Sequence, residues 1–230
     1  MPTFAGFQQG YFDFFNELAQ NNERPWFQEN KARYDQEVAT PLSAFVRAIA
    51  PQLKKISPYM VADSSKNGGS MFRIYRDTRF SKDKTPYKTH GALHFRHGSA
   101  NGDVHGPGFY LSAGPHEIVV GLGIWRPASE SLQKIREAIV DHSDAWLAIR
   151  NNPSFCAVWT LSGESLKRPP KGFDKDHPLV TDLQRKDHIG VHELTPVAFM
   201  NQNFVEEVAE MYATASPYMK FLCDAMDLPF

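Results

Sequence analysis

The chain is short of the features that most often declare a function. Its 230 residues contain two cysteines, Cys156 and Cys223, too few for a disulfide scaffold and without the spacing of a metal site. No apolar run approaches the ~20 residues that a membrane helix needs, and the start, MPTFAGFQQG, has no basic segment followed by an apolar one. A cytoplasmic protein in a reducing compartment, with no membrane partner, is therefore expected. There is no HExxH, GxSxG or CxxC, no GK[ST], and no GxGxxG leading into a helix. No residue pattern names a reaction or a cofactor, none indicates an oligomeric state, and repeats and low-complexity tracts are missing as well. With a net charge of −1 the chain lacks the general basicity of proteins that coat nucleic acids.

Aromatic residues are plentiful: 17 Phe and 4 Trp imply a substantial buried core rather than a disordered chain. Phe7, Tyr11, Phe14, Phe15 and Leu18 recur with helical period, and Asn21-Asn22 suits the end of that helix. Pro25 stands just inside a second helix that carries Phe27, Tyr34 and Val38. Thr40-Pro41 reads as an N-cap and first turn for a third, through Leu42, Phe45, Ile49 and Leu53, with Pro51 kinking or splitting it. From about residue 70 the pattern turns to strands, at 71–77, 92–97, 109–113 and 117–124, separated by glycine-rich turns. The connections after Gly98 are too short for helical crossovers, which predicts an antiparallel meander. The loop with Gly98, Gly102, Gly106 and Gly108 reads as a hairpin connection. Helices are expected again after Pro127, after Ser143 and over 201–222 with a break at Pro217, with strands at 155–161 and 189–194. The sum is a single α+β domain over 1–230: helices to about 57, a mainly antiparallel sheet over about 70–125, and helices with late strands over about 127–230.

One window concentrates charge. In MFRIYRDTRFSKDKTPYK, residues 71–88, six cations (Arg73, Arg76, Arg79, Lys82, Lys84 and Lys88) oppose only Asp77 and Asp83. On a strand, Phe72 and Ile74 would face the core and Arg73, Tyr75 and Asp77 the open side. Arg76 would then point inward, so it is either paired with a carboxylate or swung out beside Arg79 by a bulge. Guanidinium forks and mobile ammonium groups suit phosphate or carboxylate, while Tyr75 and Tyr87 offer stacking faces and phenolic donors. Trp125-Arg126 precedes a helix start, where free backbone N–H groups would reinforce an anion site. Arg73, Arg79 and Lys84 are accordingly expected to border one pocket, with Trp125-Arg126 in its wall. Asp77 is the only evident candidate for a general base. No metal is expected: His90 and His94 share a strand face but stand about 13 Å apart.

Residues 73–88, RIYRDTRFSKDKTPYK, resemble the signature of the Domain of Unknown Function 2461 family. NNERPWF (21–27) is similar to that family's N-terminal block, GIWRP (123–127) to its strand-to-helix junction, and KRPPKGFDKDHP (167–178) to its late loop. The resemblance runs along nearly the whole chain, departing at Gln8-Gln9-Gly10 within the first helix. It implies no activity, substrate or cofactor. Three readings of the basic window therefore stand side by side. It holds a small phosphorylated or carboxylated ligand, it tracks nucleic acid together with Lys167, Arg168 and Lys171, or its charges pair internally as a scaffold.

Overall fold

The computed structural model describes residues 4–100 and 105–230. Gly102 of the glycine-rich loop and the first three residues of the N-terminal helical region lie outside them. Helix α1 (Gln9–Gln20) buries Tyr11, Phe12, Phe14, Phe15 and Leu18, the stripe its period predicts, and α2 (Arg24–Glu29) begins with Pro25 in its first turn. Thr40 does not cap a new helix. Helix α3 (Lys31–Tyr34) runs through a π-helical turn, Asp35–Ala39, straight into α4 (Thr40–Ile56). Pro41 has no N–H to return to the preceding turn, and a wider π turn absorbs that missing bond without breaking the helix. Pro51 is likewise held inside α4.

The sheet has five antiparallel strands in the order β1-β2-β3-β5-β4: β1 Gly91–Arg96, β2 Gly108–Ala113, β3 Ile118–Ile124, β4 Thr160–Ser162 and β5 His188–Glu193. The meander β1-β2-β3 is as expected. The expected strand over 155–161 is mostly helix α7 (Pro153–Val158), because Asn152 accepts from the N–H groups of Ser154 and Phe155 and Pro153 occupies the first turn. After β3 come α5 (Ser129–Asp141) and α6 (Ser143–Arg150). Ser143 is the first residue of α6 rather than its cap, and its hydroxyl donates back to the carbonyls of Ile139 and Val140 in α5. Short α8 (Val180–Leu183) and α9 (Pro196–Phe199) precede α10 (Phe204–Thr214) and α11 (Ser216–Ala225), which are parted at Ala215, two residues before Pro217. Among the described residues no helix is long and apolar enough to cross a membrane.

Period-two alternation gives the sheet two unlike faces. Leu93, Phe95, Phe109, Leu111, Val120 and Leu122 are fully or almost fully buried against the helices. Tyr11 fastens α1 to this face by donating to the carbonyl of Ala113 at 3.0 Å, and Tyr212 of α10 donates to that of Tyr110 at 2.6 Å. The opposite face presents Ala92, His94, Gly108, Tyr110, Val119, Gly121, Ile189 and Val191, all of which line one cavity.

The segment expected as a strand at 71–77 is extended but makes only isolated bridges, Met71 with Leu93 and Tyr75 with Tyr87. It changes partner midway. Phe72 donates to Ala92 along the free edge of β1, whereas Arg76 and Lys88 bond to Pro86 and Ile74 in a short hairpin, so neither ladder reaches strand length. This excursion shields the exposed edge of β1.

Candidate functional site

Both carboxylates of the basic window are occupied by its own arginines. Asp77 accepts four hydrogen bonds from the Arg79 guanidinium and backbone, and this arginine holds its carboxyl down to about 2. Asp83 accepts from the Thr85 N–H and from Arg76, which also reaches the Thr85 hydroxyl; these bonds likewise lower its carboxyl to about 2. Lys84 donates to the carbonyl of Thr78 at 2.8 Å. Arg76 is thus paired, as one branch of the sequence argument required, but its side chain keeps 27% of its exposure and is not entombed. The result is a braced loop whose tip, Phe80, is 95% exposed beneath the Arg79 guanidinium. Tyr87 is buried, stacked on Phe27 at 4.2 Å, and Tyr75 leans on it at 5.5 Å. Neither tyrosine reaches the cavity described next.

That cavity, of about 450 Å³, lies on the open face of the sheet. Its floor is backbone, because Gly121 and Gly123 of β3 and Gly108 of β2 contribute no side chains. Phe72, Tyr110 and Trp125 form its walls, and Ile189 and Val191 extend it over β5. The glycines differ in what they permit. Gly123 has φ +105°, and a Cβ there would stand 2.0 Å from the carbonyl oxygen of His188; at Gly108 it would lie 2.5 Å from His94 Nε2. At Gly121 the nearest atom would be Tyr110 Cβ at 3.5 Å, an ordinary contact, so the bare floor at 121 is not forced by crowding.

The polar groups of the cavity are Lys88, His90, His94 and Tyr110. Lys88, half-buried, donates to the carbonyl of Arg73 at 3.0 Å, and its ammonium stands 5.2 Å from the Phe72 ring centroid. Burial, then the neighbouring Arg73, lowers its pKa. Burial also lowers His90, helped by Lys88, and takes His94 down to about 4 with a contribution from Arg96. At neutral pH both imidazoles are uncharged, and Lys88 is the one ammonium among the lining residues. An anion arriving here exchanges water for a partly desolvated cation, where electrostatic attraction is stronger than at the open surface.

Trp125, 48% exposed, is fixed at the rim. Its carbonyl meets His105 Nδ1 at 2.9 Å, its ring stacks on that imidazole at 5.6 Å, and the Arg126 guanidinium lies 4.8 Å over it. The corner is strained, with Arg126 at φ 49°, and buried Asp187 holds it by accepting the Arg126 N–H at 2.7 Å and that of Glu164 at 2.8 Å. Of the residues singled out in the sequence, Lys88 and Trp125 line this cavity, and Arg73 lines a second one adjoining it. Tyr75, Arg76, Asp77, Arg79, Lys82, Lys84, Tyr87 and Arg126 line neither. Phe72, expected to face the core beside Ile74, instead walls the open-face cavity because the segment leaves the sheet plane after its single bridge to β1, and His94, weighed only as a metal ligand, lines the same cavity; Tyr110 and Gly121 were not singled out. Their signal was the alternation Val120-Gly121-Leu122-Gly123, apolar on one face and empty on the other.

A family model described as "Conserved hypothetical protein (DUF2461)" matches residues 10–221. No curated protein matches the chain.

Proposed function

The chain belongs to the DUF2461 family of conserved hypothetical proteins, and we propose that it binds a small organic anion with a flat apolar body on the open face of its sheet. The observation that carries this reading is the bare floor at Gly121, flanked by Phe72, Tyr110 and Trp125 and edged by the Lys88 ammonium. A glycine within a strand costs about 0.5–1 kcal/mol relative to alanine, and at position 121 steric need does not account for it. A planar group lying on the exposed peptide planes does account for it. Apolar walls with one convergent cation are the usual composition of a small-molecule site. Arg76 and Arg79, committed to Asp83 and Asp77, support the scaffold reading for their own part of the window. The anion is therefore assigned to Lys88 and its neighbours rather than to the loop tip.

The test is a fluorescence titration with anilinonaphthalene sulfonate, an aryl anion that brightens in apolar surroundings, alongside the neutral anilinonaphthalene. Saturable binding, with Lys88→Met weakening the sulfonate at least tenfold and the neutral dye little, is expected. Equal affinity of parent and Lys88→Met for the sulfonate would remove Lys88 from the site.

A further inference from the structure

We propose that the cavity beside the open-face groove, at the turn 66–69, is a phosphoryl subsite, so that the ligand is a phosphate monoester of a flat apolar alcohol or of a nucleoside. This rests on the open-face reading and specifies its ligand. The second cavity, of about 300 Å³, shares Phe72 and His94 with the first, so the two adjoin across that pair of rings. The rings lie parallel, 6.3 Å apart.

The two halves differ in charge. The groove over Gly121 has walls of Phe72, Tyr110 and Trp125, whereas the side cavity is lined by Lys66, Arg73 and Arg96 and by no carboxylate. Arg96 is held in place, its Nη2 donating to the carbonyls of Gly68 and Gly69 at 2.9 and 3.2 Å. Lys66 and Arg73 enter no ion pair among the described residues. This sets them apart from the other arginines of the basic window, which spend their guanidinium groups on Asp77 and Asp83. Lys88 stands at the junction, bonded to the Arg73 carbonyl.

Lys66 and Arg73 bring two cations without an ion pair to the cavity, beside an Arg96 that also faces Asp63, and this set suits a doubly charged head better than a single carboxylate. A phosphate monoester brings nearly two negative charges at neutral pH and three acceptor oxygens, which match a guanidinium fork with further donors around it. The partition between the halves is uncharged, since burial keeps His94 neutral at physiological pH. Charge is therefore concentrated at the turn, and a ligand with a charged head and an apolar body has one orientation that satisfies both halves.

The experiment is calorimetric titration of the full chain with naphthyl phosphate, adenosine monophosphate and the uncharged naphthol, repeated on the double variant Lys66→Ala/Arg73→Ala. Both positions are solvent-exposed, and a melting curve matching the parent certifies the fold of the variant. Naphthyl phosphate should bind at least tenfold more tightly than naphthol, and the double variant should lose that margin while its naphthol affinity stays within twofold. A tighter adenosine monophosphate than naphthyl phosphate would assign the body to a nucleoside, and the reverse order to a simple aryl group. A double variant that keeps the parent's margin of naphthyl phosphate over naphthol overturns the phosphoryl subsite and leaves the anion with Lys88 in the open-face groove, whereas equal affinity of the two ligands for the parent overturns both. Failure of all three to bind overturns both.

Discussion

Replacing Gly121 by valine should separate ligand binding from stability in a single step. A Cβ at this position meets Tyr110 Cβ at 3.5 Å, the Gly190 carbonyl oxygen at 3.6 Å and Tyr110 Cδ1 at 3.7 Å, all ordinary contacts. Position 121 lies in the middle of β3, paired with Tyr110 and Val191. Removing a strand glycine there recovers about 0.5–1 kcal/mol of backbone entropy, and valine adds a β-branched side chain suited to a strand. For a domain of this size each kcal/mol raises the melting temperature by about 2–4 °C, so a rise of about 1–4 °C is expected. The same methyl groups occupy the floor. An aromatic body that buries about 150 Å² at about 25 cal/mol per Å² gains close to 4 kcal/mol. Lifting it off the peptide planes should forfeit about half of this, a ~30-fold loss of affinity. Differential scanning calorimetry and the sulfonate dye titration read the two effects on the same sample. Unchanged dye affinity in a well-folded Gly121→Val protein would refute the floor as the binding surface, and a fall of several degrees would refute the space inferred above it.

The neighbouring glycine should behave oppositely: at Gly108 an added Cβ stands 2.5 Å from His94 Nε2 and 2.8 Å from the Phe95 carbonyl oxygen, so Gly108→Ala should cost about 1–3 kcal/mol in a urea melt. Arg76→Ala should cost only about 1 kcal/mol globally, because the Arg76–Asp83 pair is partly exposed. It should, however, accelerate amide exchange across the loop 77–85 that this pair braces, and protection unchanged there would contradict the bracing. His94, lowered by burial to about 4, and His188, lowered by burial to about 3, both bind protons more readily when the chain unfolds. Stability present above about pH 6.5 should therefore fall towards pH 4, by up to about 1.4 kcal/mol per pH unit for each histidine, with His94→Phe removing one proton's share of the slope. Identical urea midpoints at pH 7 and pH 5 would contradict this.

Helical periodicity and glycine-bounded β runs carried most of the architecture, because burial on one face leaves a regular trace in the sequence. The misreadings have local causes. Pro41 resembles a helix start, but a π turn can absorb a proline, and no residue pattern near Asp35 announces that turn. The Asn152-Pro153 pair that starts α7 was masked by the β-prone residues after it. The basic window was legible as a concentration of charge but not as a pairing scheme. Asp77 with Arg79 and Asp83 with Thr85, each two residues apart, are the short-range contacts that lock the loop, and sequence spacing leaves open whether such groups face each other or a ligand. The groove was the hardest part to see, since a site built from missing side chains at Gly108, Gly121 and Gly123 looks like turn punctuation until the register aligns them on one face.

Backbone amide N–H correlation spectra recorded during titration with naphthyl phosphate test the open-face site most directly. Progressive, saturable shifts are predicted at Gly121, Gly123 and Val191 on the floor and at Gly69 and Arg73 by the turn, with none at Lys134 or Asp224 between α5 and α11. Shifts confined to the loop around Phe80, or no shifts at all, would contradict a binding site on the open face.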